Sequence, residues 1–381
     1  MSVFYEVSKV PVHSVLLLPT RQEALDYPTG DIALGFCEEC GFISNLAYDP
    51  GLQEYSTRYE ETQGFSSTFT SFQKLLAQRL IEQYDLHRKT IIEIGCGKGE
   101  FLSLLCELGE NQGIGFDPAY VPERNLSPAK DRMTFIQDFY GEKYAHHQAD
   151  FVCCKMTLEH ITDVADFTKT VRRSIGNRRD TIIFFQIPEV RRILREQAFW
   201  DIYYEHCSYF SMGSLARLFR HTGFDVIDLG TEYDDQYLMI EARPGTGGGT
   251  DSLAQEDDLE ELKHDVETFT ENIRVTLEKW QKRLTEIRQA GRRAVIWGGG
   301  SKGVAFLTKL GVKDEIPYAV DINPYKFGTF MAGTGQEIVG PEFLKTYKPD
   351  LIVVMNPIYC SEIKADLDKI GVSAQLLSIT E

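Results

Sequence analysis

The sequence predicts an α/β protein with two Rossmann-like units, a small N-terminal domain and a long connecting helix. Two segments, 91–117 and 293–321, show the same order of apolar strand, glycine-rich loop, helix, second strand and acid. Between residues 71 and 245, strands alternate with amphipathic helices, which is typical of a mostly parallel sheet with helices on both faces. The glycine-rich run Pro244–Thr250 interrupts this alternation and marks a boundary.

We expect four parts along the chain. Residues 1–70 are turn-rich and form a small domain that carries a Cys-Glu-Glu-Cys segment. Residues 71–245 hold the first Rossmann-like unit, and residues 291–381 hold the second. Between them, 246–290 contains the glycine linker and a long amphipathic helix, predicted over 252–290 because apolar residues recur at threes and fours. The apolar stripe of this helix predicts packing against a neighbouring domain or against a second subunit in a homo-oligomer.

The elements of the first unit follow from their patterns. A helical pattern covers Phe72–Tyr84 and precedes the first glycine-terminated strand. Two late runs, Phe224–Leu229 and Gln236–Ala242, flank Thr231–Asp235 and predict a closing antiparallel hairpin, with a strand of opposite direction at the edge of the sheet. The strands predicted between these ends are Gly113–Phe116, Thr134–Gln137, Asp150–Cys154 and Thr181–Gln186.

Composition limits the classes of function. The chain has 381 residues, enough for two or three domains, each with its own core. A net charge of −17 argues against a nucleic-acid surface, whereas an anionic small substrate needs only a few local cations. No apolar run reaches the length that spans a bilayer, and the N-terminus lacks an export signal. The eight cysteines lie in apolar contexts that suit reduced thiols. We therefore expect a cytoplasmic enzyme without membrane contact.

The first glycine loop carries the most chemical information. Residues 91–99 read Ile-Ile-Glu-Ile-Gly-Cys-Gly-Lys-Gly, and Phe101–Leu108 then supplies a helix N-terminus. Glycine lets the backbone approach a ligand where any Cβ would collide. The spacing is not the dinucleotide fingerprint G-x-G-x-x-G. It resembles the first motif of class I S-adenosylmethionine-dependent methyltransferases, and Asp117 stands where a ribose-binding carboxylate is expected. The alternative is a glycine-rich turn that binds no ligand.

The second unit repeats this order. Arg293–Trp297 predicts a buried strand, an apolar helix runs through Leu310, and the strand Tyr318–Val320 follows. Two such units predict two ligands, or one cofactor and one nucleotide-bearing substrate. The alternative is a tight glycine turn kept for packing alone. We predict substrate contact at Gly298, Gly299, Gly300, Ser301, Lys302 and Asp321.

Five motifs in one order span nearly the whole chain. They are Glu93–Gly99, Thr157–Ile161, Tyr203–His206 with Ser208–Ser211, Gly298–Gly303 and Val320–Lys326. Together they resemble the three-domain S-adenosylmethionine-dependent C-methyltransferases that act on nucleotide-linked keto-deoxysugars. The resemblance implies a class I methyltransferase domain, a C-terminal Rossmann-like substrate-binding domain, S-adenosylmethionine as cofactor and S-adenosylhomocysteine as product. It also implies a nucleotide-linked small-molecule substrate from deoxysugar biosynthesis.

Carbon methylation requires particular residues. A carbon next to a ketone must lose a proton to become an enolate, so a base and a group that stabilises the oxyanion are needed. The resemblance implies that His206 is the general base and that Glu205 orients it or binds substrate. It places His160 where it polarises or binds the keto oxygen, and it carries over Tyr59 and Tyr203 as further active-centre residues. A histidine held by hydrogen bonds in a loop is the structural alternative.

The predicted cofactor site is built around the first glycine loop. Asp138 matches the acid that reads the adenine amino group, although an aspartate at the end of a strand is often only a turn former. The predicted cofactor-binding residues are Glu93, Gly95, Cys96, Gly97, Gly99, Asp117, Asp138 and Lys155.

The chain departs from the family pattern at two places. Family members bring two cysteine pairs to a structural zinc, whereas this N-terminal region has only Cys37 and Cys40, with His13 as the nearest other candidate. Since tetrahedral zinc takes four ligands, we expect a metal-free turn and no complete zinc site. The segment Met355–Cys360 also differs from the family pattern, so the identity of the sugar stays open.

Two other classes of function fit the same residues. One is an O- or N-methyltransferase of a small polar metabolite, in which His206 deprotonates a hydroxyl or only binds substrate. The other is a regulatory protein whose C-terminal glycine loop holds a nucleotide or NAD. Exchange of a substrate C–H proton with solvent separates the first from carbon methylation, and binding of S-adenosylmethionine and NAD measured separately tests the second.

Overall fold

A four-stranded sheet occupies much of the N-terminal region, which the sequence predicted to be turn-rich. The computed structural model describes residues 1–53, 55–245, 251–312 and 315–381. The first elements are β1 (Ser2–Pro11), α1 (Arg21–Leu25), β2 (Thr29–Phe36) and β3 (Ile43–Asn45), and β1, β2 and β3 pair antiparallel. Shifts of register in β1, between Val3 and Tyr5 and between Val7 and Val10, break the alternation that would have predicted the strand.

The central part is a seven-stranded sheet in the order β10-β11-β8-β7-β4-β5-β6. Its helices are α2 (Ser67–Tyr84), α3 (Glu100–Gly109), α4 (Val164–Ile175), α5 (Val190–Arg195) and α6 (Met212–His221). Its strands, together with the short β9, are β4 (Thr90–Ile94), β5 (Gln112–Phe116), β6 (Met133–Ile136), β7 (Phe151–Lys155), β8 (Ile182–Pro188), β9 (Ser208–Tyr209), β10 (Phe224–Glu232) and β11 (Tyr237–Pro244). The predicted strands are therefore present.

The predicted hairpin lies at one edge of this sheet. Strands β4, β5, β6, β7 and β8 pair parallel, and β11 pairs antiparallel with both β8 and β10. The reversed strand is thus the inner strand of the hairpin, and the outermost strand β10 runs in the same direction as β8. The chain order reverses between β4 and β7, which is where open α/β sheets bind ligands.

The C-terminal part contains a second, fully parallel sheet in the order β14-β13-β12-β15-β16. Its order reverses between β12 and β15, so it presents a second ligand position of the same kind. The elements are α7 (Leu259–Gln289), β12 (Ala294–Trp297), α8 (Ser301–Leu310), β13 (Tyr318–Val320), β14 (Glu337–Val339), α9 (Leu344–Tyr347), β15 (Leu351–Val354), α10 (Cys360–Ile370) and β16 (Gln375–Ser378).

The long helix α7 begins at Leu259, later than the predicted residue 252. Glu256 and Asp258 instead bind α6, because Arg220 donates to Glu256 and the Gly213 N–H donates to Asp258. The linker residues 246–250 lie outside the described residues.

The apolar stripe of α7 is covered by its own chain. The ring of Phe269 makes edge contacts with Phe4 and Tyr5 of β1, and Trp280 meets Phe306 of α8. Of the two predicted partners of this stripe, a neighbouring domain is the one observed for these residues. Among the described residues, no helix combines the length and apolar character that crossing a membrane requires.

The strand β9 joins the central part to the N-terminal sheet. It pairs antiparallel with β3, through Ser208 opposite Ser44 and Tyr209 opposite Ile43. The residues just before β9 therefore pass between the two sheets. This placement matters because the predicted base His206 lies in that connection.

Candidate active site

One cavity of about 550 Å³ receives both glycine loops. It lies at the carboxyl ends of the parallel strands of both sheets, since its walls include residues that follow β4, β5, β7, β12 and β13. Ligands of open α/β sheets bind at this end. Of the predicted site residues, all line the cavity except Gly99, Glu205 and Gly299. The fold therefore brings together two loops that are about two hundred residues apart in the sequence.

The first loop needs glycine for reasons of conformation and packing. Gly95 has φ +70°, and a Cβ there would lie 1.9 Å from the Thr157 Oγ1 atom. Gly97 has φ +53°, and its Cβ would lie 2.6 Å from Glu61 Oε1. Both φ values favour glycine. Gly99 precedes α3 and does not line the cavity, and a Cβ there would lie 2.6 Å from the Phe135 ring.

The acids that follow the second strand of each unit make the same contacts. Asp117 accepts from the Gly97 N–H at 2.8 Å and from the Ala119 N–H at 2.7 Å. Asp321 accepts from the Gly299 N–H at 3.0 Å and from the N–H two residues further on, at 2.9 Å. Burial raises the pKa of Asp117 against these two hydrogen bonds. In both units, one carboxylate holds the glycine loop against the next strand.

The two acids differ in their cationic neighbours. The buried Lys326 ammonium lies 3.2 Å from Asp321 Oδ2 and also donates to the Gly299 carbonyl. In the first unit, Lys98 instead donates to the carbonyls of Tyr59 and Ala119, at 2.8 and 3.0 Å. The charge of Asp321 is thus balanced by an ion pair with Lys326. In the described chain, the hydrogen bonds to the Asp117 carboxylate come only from backbone N–H groups.

Glu93 and Lys155 are buried beside the first loop and interact electrostatically. Glu93 accepts from the Leu102 N–H at 3.0 Å, and the Lys155 ammonium lies 3.6 Å from the centre of the Phe101 ring. Burial raises the pKa of Glu93 and lowers the pKa of Lys155, and the attraction between the two opposes both shifts. The Lys155 Nζ atom has no hydrogen-bond partner among the described residues. It is therefore free to bind an anionic group that enters the cavity.

Asp138 lines the cavity but already has partners. Its carboxylate pairs with Lys143 and accepts from the Tyr144 hydroxyl at 2.6 Å. These hydrogen bonds lower its pKa. The second predicted acceptor for a cofactor thus remains charged, with part of its hydrogen-bonding capacity in use.

Three chemically active side chains meet on the opposite wall. Donor or acceptor atoms of Glu159, His160 and His206 lie within 4.8 Å of one another, and Glu159 Oε1 lies 4.0 Å from His206 Nε2. The His206 Nδ1 atom and both carboxylate oxygens of Glu159 are buried without a hydrogen-bond partner among the described residues. Burial, with the nearby His160, lowers the pKa of His206 well below its usual value. His206 is therefore neutral near pH 7.

Backbone hydrogen bonds hold this wall in place. The Cys207 N–H donates to the Glu159 carbonyl at 2.9 Å, and the Cys207 carbonyl accepts from the Asn45 N–H at 2.9 Å. The connection before β9 is thereby fixed both to the segment after β7 and to the N-terminal sheet. The sequence does not predict this arrangement, because Asn45, Glu159 and Cys207 lie in three separate parts of the chain.

Glu205 does not take the predicted role beside His206. Its carboxylate accepts from the His13 Nδ1 atom at 3.1 Å, and from the N–H and hydroxyl of Ser14. Burial alone would raise the pKa of Glu205, but these hydrogen bonds outweigh it and lower the pKa. The physical reason is that adjacent side chains in the connection point to different sides. Glu205 anchors the N-terminal region, and Glu159 is the acid that lies near His206.

Aromatic rings surround the two histidines. The Tyr55 hydroxyl bonds His160 Nδ1 at 3.1 Å, and the Tyr203 ring centre lies 4.1 Å from that of His206. Tyr59 lines the cavity, and its ring lies 5.3 Å from that of Tyr55. The predicted Tyr59 and Tyr203 thus reach the cavity, and Tyr55 is a contact that sequence reasoning missed.

The second glycine loop is tied to the central part of the molecule. Lys302 forms an ion pair with Asp201, which also pairs with Arg192. The hydroxyl oxygens of Ser301 and Ser14 lie within hydrogen-bond distance, at 2.7 Å. Gly299 does not line the cavity, because its N–H is turned to Asp321. The predicted substrate residue Lys302 therefore reaches the cavity as half of an ion pair.

Cys37 and Cys40 lie in a tight turn. The Gly41 N–H donates to the Cys37 carbonyl at 2.8 Å, and the Cys37 N–H donates to the Phe42 carbonyl at 2.9 Å. His13, the other candidate zinc ligand, is bound to Glu205 instead.

Sequence reasoning missed several residues that shape the cavity. Glu159 belongs to the motif Thr157–Ile161, but it has no predicted role, because histidine, as in the neighbouring His160, is the more familiar catalytic residue. The predicted site residues include neither Lys98 nor Lys326. Lys98 directly follows Gly97 of the first loop, and Lys326 lies a few residues after Asp321. The closeness of Lys326 to Asp321 in the sequence could have predicted their ion pair, since a lysine near an acid often acts as its counterion.

Comparisons with known proteins agree with this arrangement. A family model described as a methyltransferase domain matches residues 66–229, and a model described as a C-methyltransferase C-terminal domain matches residues 250–375. A curated relative, C-methyltransferase NovU of Streptomyces niveus, is 27% identical over 290 residues, which is 72% of this chain and 67% of the relative. The chain is therefore similar to S-adenosylmethionine-dependent C-methyltransferases. The enzyme is thus a methyltransferase with S-adenosylmethionine as its cofactor.

Solved structures of other methyltransferases resemble part of this enzyme. Magnesium protoporphyrin IX methyltransferase of Synechocystis PCC 6803 with bound S-adenosylhomocysteine is 12% identical, with a TM-score of 0.37 and coverage of 47% of this chain and 84% of that chain. Human N-acetylserotonin methyltransferase in complex with S-adenosylmethionine is 17% identical, with a TM-score of 0.35 and coverage of 46% and 55%.

Proposed function

We propose that this methyltransferase transfers a methyl group to a carbon next to a ketone of a nucleotide-linked sugar or a related metabolite. The observation that carries the proposal is the single cavity that joins a cofactor-type glycine loop, a second glycine loop and a neutral buried histidine. Each of these parts supplies one requirement of the reaction. The nucleotide part of the substrate and the enolate mechanism belong to this proposal.

The residues around the first loop fit S-adenosylmethionine. Glycine backbone lines the cavity at Gly95 and Gly97, and Asp117 offers a carboxylate at the end of the next strand. The buried Lys155 ammonium has no hydrogen-bond partner in the part of the chain that the structure describes, and it suits the carboxylate of the cofactor. Asp117 and Asp138 suit its ribose hydroxyls and its adenine amino group. When bound, S-adenosylmethionine supplies a methyl carbon on a positively charged sulfur, which an electron-rich carbon can attack.

His206 is the proposed general base. Its imidazole is neutral near pH 7, and its Nδ1 atom has no hydrogen-bond partner in the described chain. In the cavity, it removes a proton from the carbon next to the ketone and leaves an enolate. His160 is oriented by Tyr55 and lies beside His206, with ring centres 5.0 Å apart.

The second loop is the proposed site for the nucleotide part of the substrate. It opens into the same cavity as the first loop and is followed by the ten-residue helix α8, whose N-terminal N–H groups favour an anion. Lys302 and Lys326 add positive charge there, although each is paired with an acid. Because Lys326 already pairs with Asp321, that acid is less suited to a ribose hydroxyl of NAD than a free carboxylate would be.

Proton exchange tests the proposal. We expect the wild-type enzyme, without methyl donor, to exchange the proton next to the ketone of a thymidine diphosphate-linked keto-deoxyhexose with deuterated water. His206→Ala should stop this exchange and reduce turnover on the order of 10²–10⁴-fold, with normal affinity for S-adenosylmethionine. The exposed histidine His264, changed to alanine, is the matched control and should behave as wild type.

Three outcomes would change the proposal. Exchange that persists in His206→Ala but disappears in His160→Ala would reverse the roles of the two histidines. A wild-type enzyme that never exchanges the proton, yet methylates a hydroxyl or amine, would favour O- or N-methylation. Tight binding of NAD in place of S-adenosylmethionine would favour a regulatory function.

A further inference from the structure

Glu159 is a side chain of the cavity for which the proposed base and cofactor site give no role. It is 1% exposed, it lines the cavity, and neither carboxylate oxygen has a hydrogen-bond partner among the described residues. Buried polar groups are nearly always hydrogen-bonded, and an exception needs a reason. A partner that arrives with the substrate is such a reason.

The surroundings of Glu159 keep it uncharged. Burial raises its pKa to about 8, and no cation contributes to the shift. At pH 7, the side chain is therefore a carboxylic acid, which can donate one hydrogen bond. The titratable groups that face it or interact with it electrostatically are His160, His206, Tyr55, Tyr203, Tyr237, Cys154 and Cys207.

The other residue near the base is less available as a donor. His160 shares a hydrogen bond with the Tyr55 hydroxyl, and a backbone hydrogen bond with Glu205 also holds it. The carboxylate of Glu159 has no hydrogen-bond partner among the described residues, and its Oε1 atom lies 4.0 Å from His206 Nε2. A keto oxygen and a hydrogen on the adjacent carbon are only three bonds apart. An acid and a base at this separation can therefore serve the two ends of one enolising ketone.

We propose that Glu159 is a catalytic residue that, as a carboxylic acid, donates a hydrogen bond to the keto oxygen while His206 removes the adjacent proton. The C–H bond breaks and its proton moves to an imidazole nitrogen of His206. The electron pair of that bond forms the carbon–carbon double bond of the enolate, and the π pair of the ketone moves to its oxygen. Glu159 keeps its own proton and stabilises the oxyanion. This inference rests on the proposed function, since it requires a ketone in the substrate.

Substitutions that remove or retain the donor test the inference. We expect Glu159→Met to slow the exchange of the ketone-adjacent proton and to lower kcat on the order of 10²–10³-fold, with affinity for S-adenosylmethionine within about twofold of wild type. Glu159→Gln, whose amide still donates, should stay within about tenfold of wild type. The probe is the thymidine diphosphate-linked keto-deoxyhexose in deuterated water, without methyl donor.

A pH profile provides a readout that a purely structural role would not move. In wild type, exchange should fall above about pH 8 as Glu159 ionises, and Glu159→Gln should lack this fall. This comparison decides the question even where Glu159→Met does not fold.

Two results would overturn the inference about Glu159. One is wild-type exchange in Glu159→Met. The other is exchange that depends on an added divalent cation bound by Glu159, His160 and His206, because the metal would then stabilise the enolate. A wild-type enzyme without exchange or carbon methylation would instead refute the proposed function itself.

Discussion

At the scale of single residues, equivalent acids in the two units share their backbone contacts and differ in their counterions. Asp117 and Asp321 each accept hydrogen bonds from the N–H of a loop glycine and from the N–H of the residue two positions after the acid itself. Among the described residues, only Asp321 of the two has a lysine, Lys326, within ion-pair distance. Both acids hold their glycine loop through these hydrogen bonds. We propose a contact with S-adenosylmethionine for Asp117 alone.

Asp117→Ala should weaken the binding of S-adenosylmethionine. The loss of a charged acceptor for the ribose hydroxyls corresponds to roughly 1.5–3 kcal/mol, or about ten- to a hundred-fold in Kd. Asp321→Ala is the matched control, because it removes the same two backbone hydrogen bonds from the other loop and should leave this affinity unchanged. Calorimetric titration measures both variants. Equal affinities for Asp117→Ala and wild type would show that this acid only shapes the loop.

The candidate site could be predicted from sequence where a motif fixes the backbone locally. The strand, glycines and following acid of each unit are consecutive, so the cavity contacts of Gly95, Gly97 and Asp117 follow from spacing. The partner of Glu205 could not be predicted, because His13 and Ser14 come from almost two hundred residues earlier in the chain. Only the folded chain shows which of two neighbouring side chains faces the cavity.

At the scale of elements, helix α7 is stabilised by packing within its own chain. Phe269 is fully buried between α7 and β1, whereas Val275 on the same helix is 58% exposed. The sequence pattern predicted the stripe but left open whether a neighbouring domain or a second subunit covers it, since periodicity gives the apolar face of a helix and not the surface that covers it. Nor could the pattern reveal that residues before Leu259 bind α6.

Phe269→Ala should destabilise the enzyme. Removal of a buried phenylalanine side chain costs about 3–5 kcal/mol, through lost apolar burial and the cavity that remains. Val275→Ala is the control on the same helix and should change the free energy of unfolding by less than about 0.5 kcal/mol. Urea unfolding followed by circular dichroism measures both. A large effect at Val275 with none at Phe269 would mean that the exposed face, and not the buried stripe, carries the contact.

At the scale of the whole molecule, charged groups join the second loop to the central part. Asp201 lies between Lys302 of α8 and Arg192 of α5. Burial alone would raise the pKa of Asp201, but the two cations outweigh it and lower the pKa to about 2. An aspartate whose pKa is lower in the folded state stabilises the fold above its unfolded pKa. That contribution is lost as the pH falls through the folded value.

Asp201→Asn should therefore be less stable than wild type at pH 7, by roughly 2 kcal/mol. The difference should persist down to about pH 4 and shrink as the pH falls toward 2, because the wild-type carboxylate is then protonated. Asp368→Asn is the control, since Asp368 pairs with Lys364 on the exposed surface of α10 and such pairs contribute little. Urea titrations at several pH values measure the difference. A gap that does not depend on pH would contradict the ionic origin.

The sequence by itself determined the two Rossmann-like units, their glycine loops and acids, and the use of S-adenosylmethionine through the family motifs. These features are local, because strand, loop and helix follow from consecutive residues. Only the tertiary structure decided that both loops open into one cavity, that Glu159 and not Glu205 lies near His206, and that α7 is covered by its own chain. Such contacts join segments distant along the chain, and their free energy depends on burial and partners that no single stretch of sequence specifies.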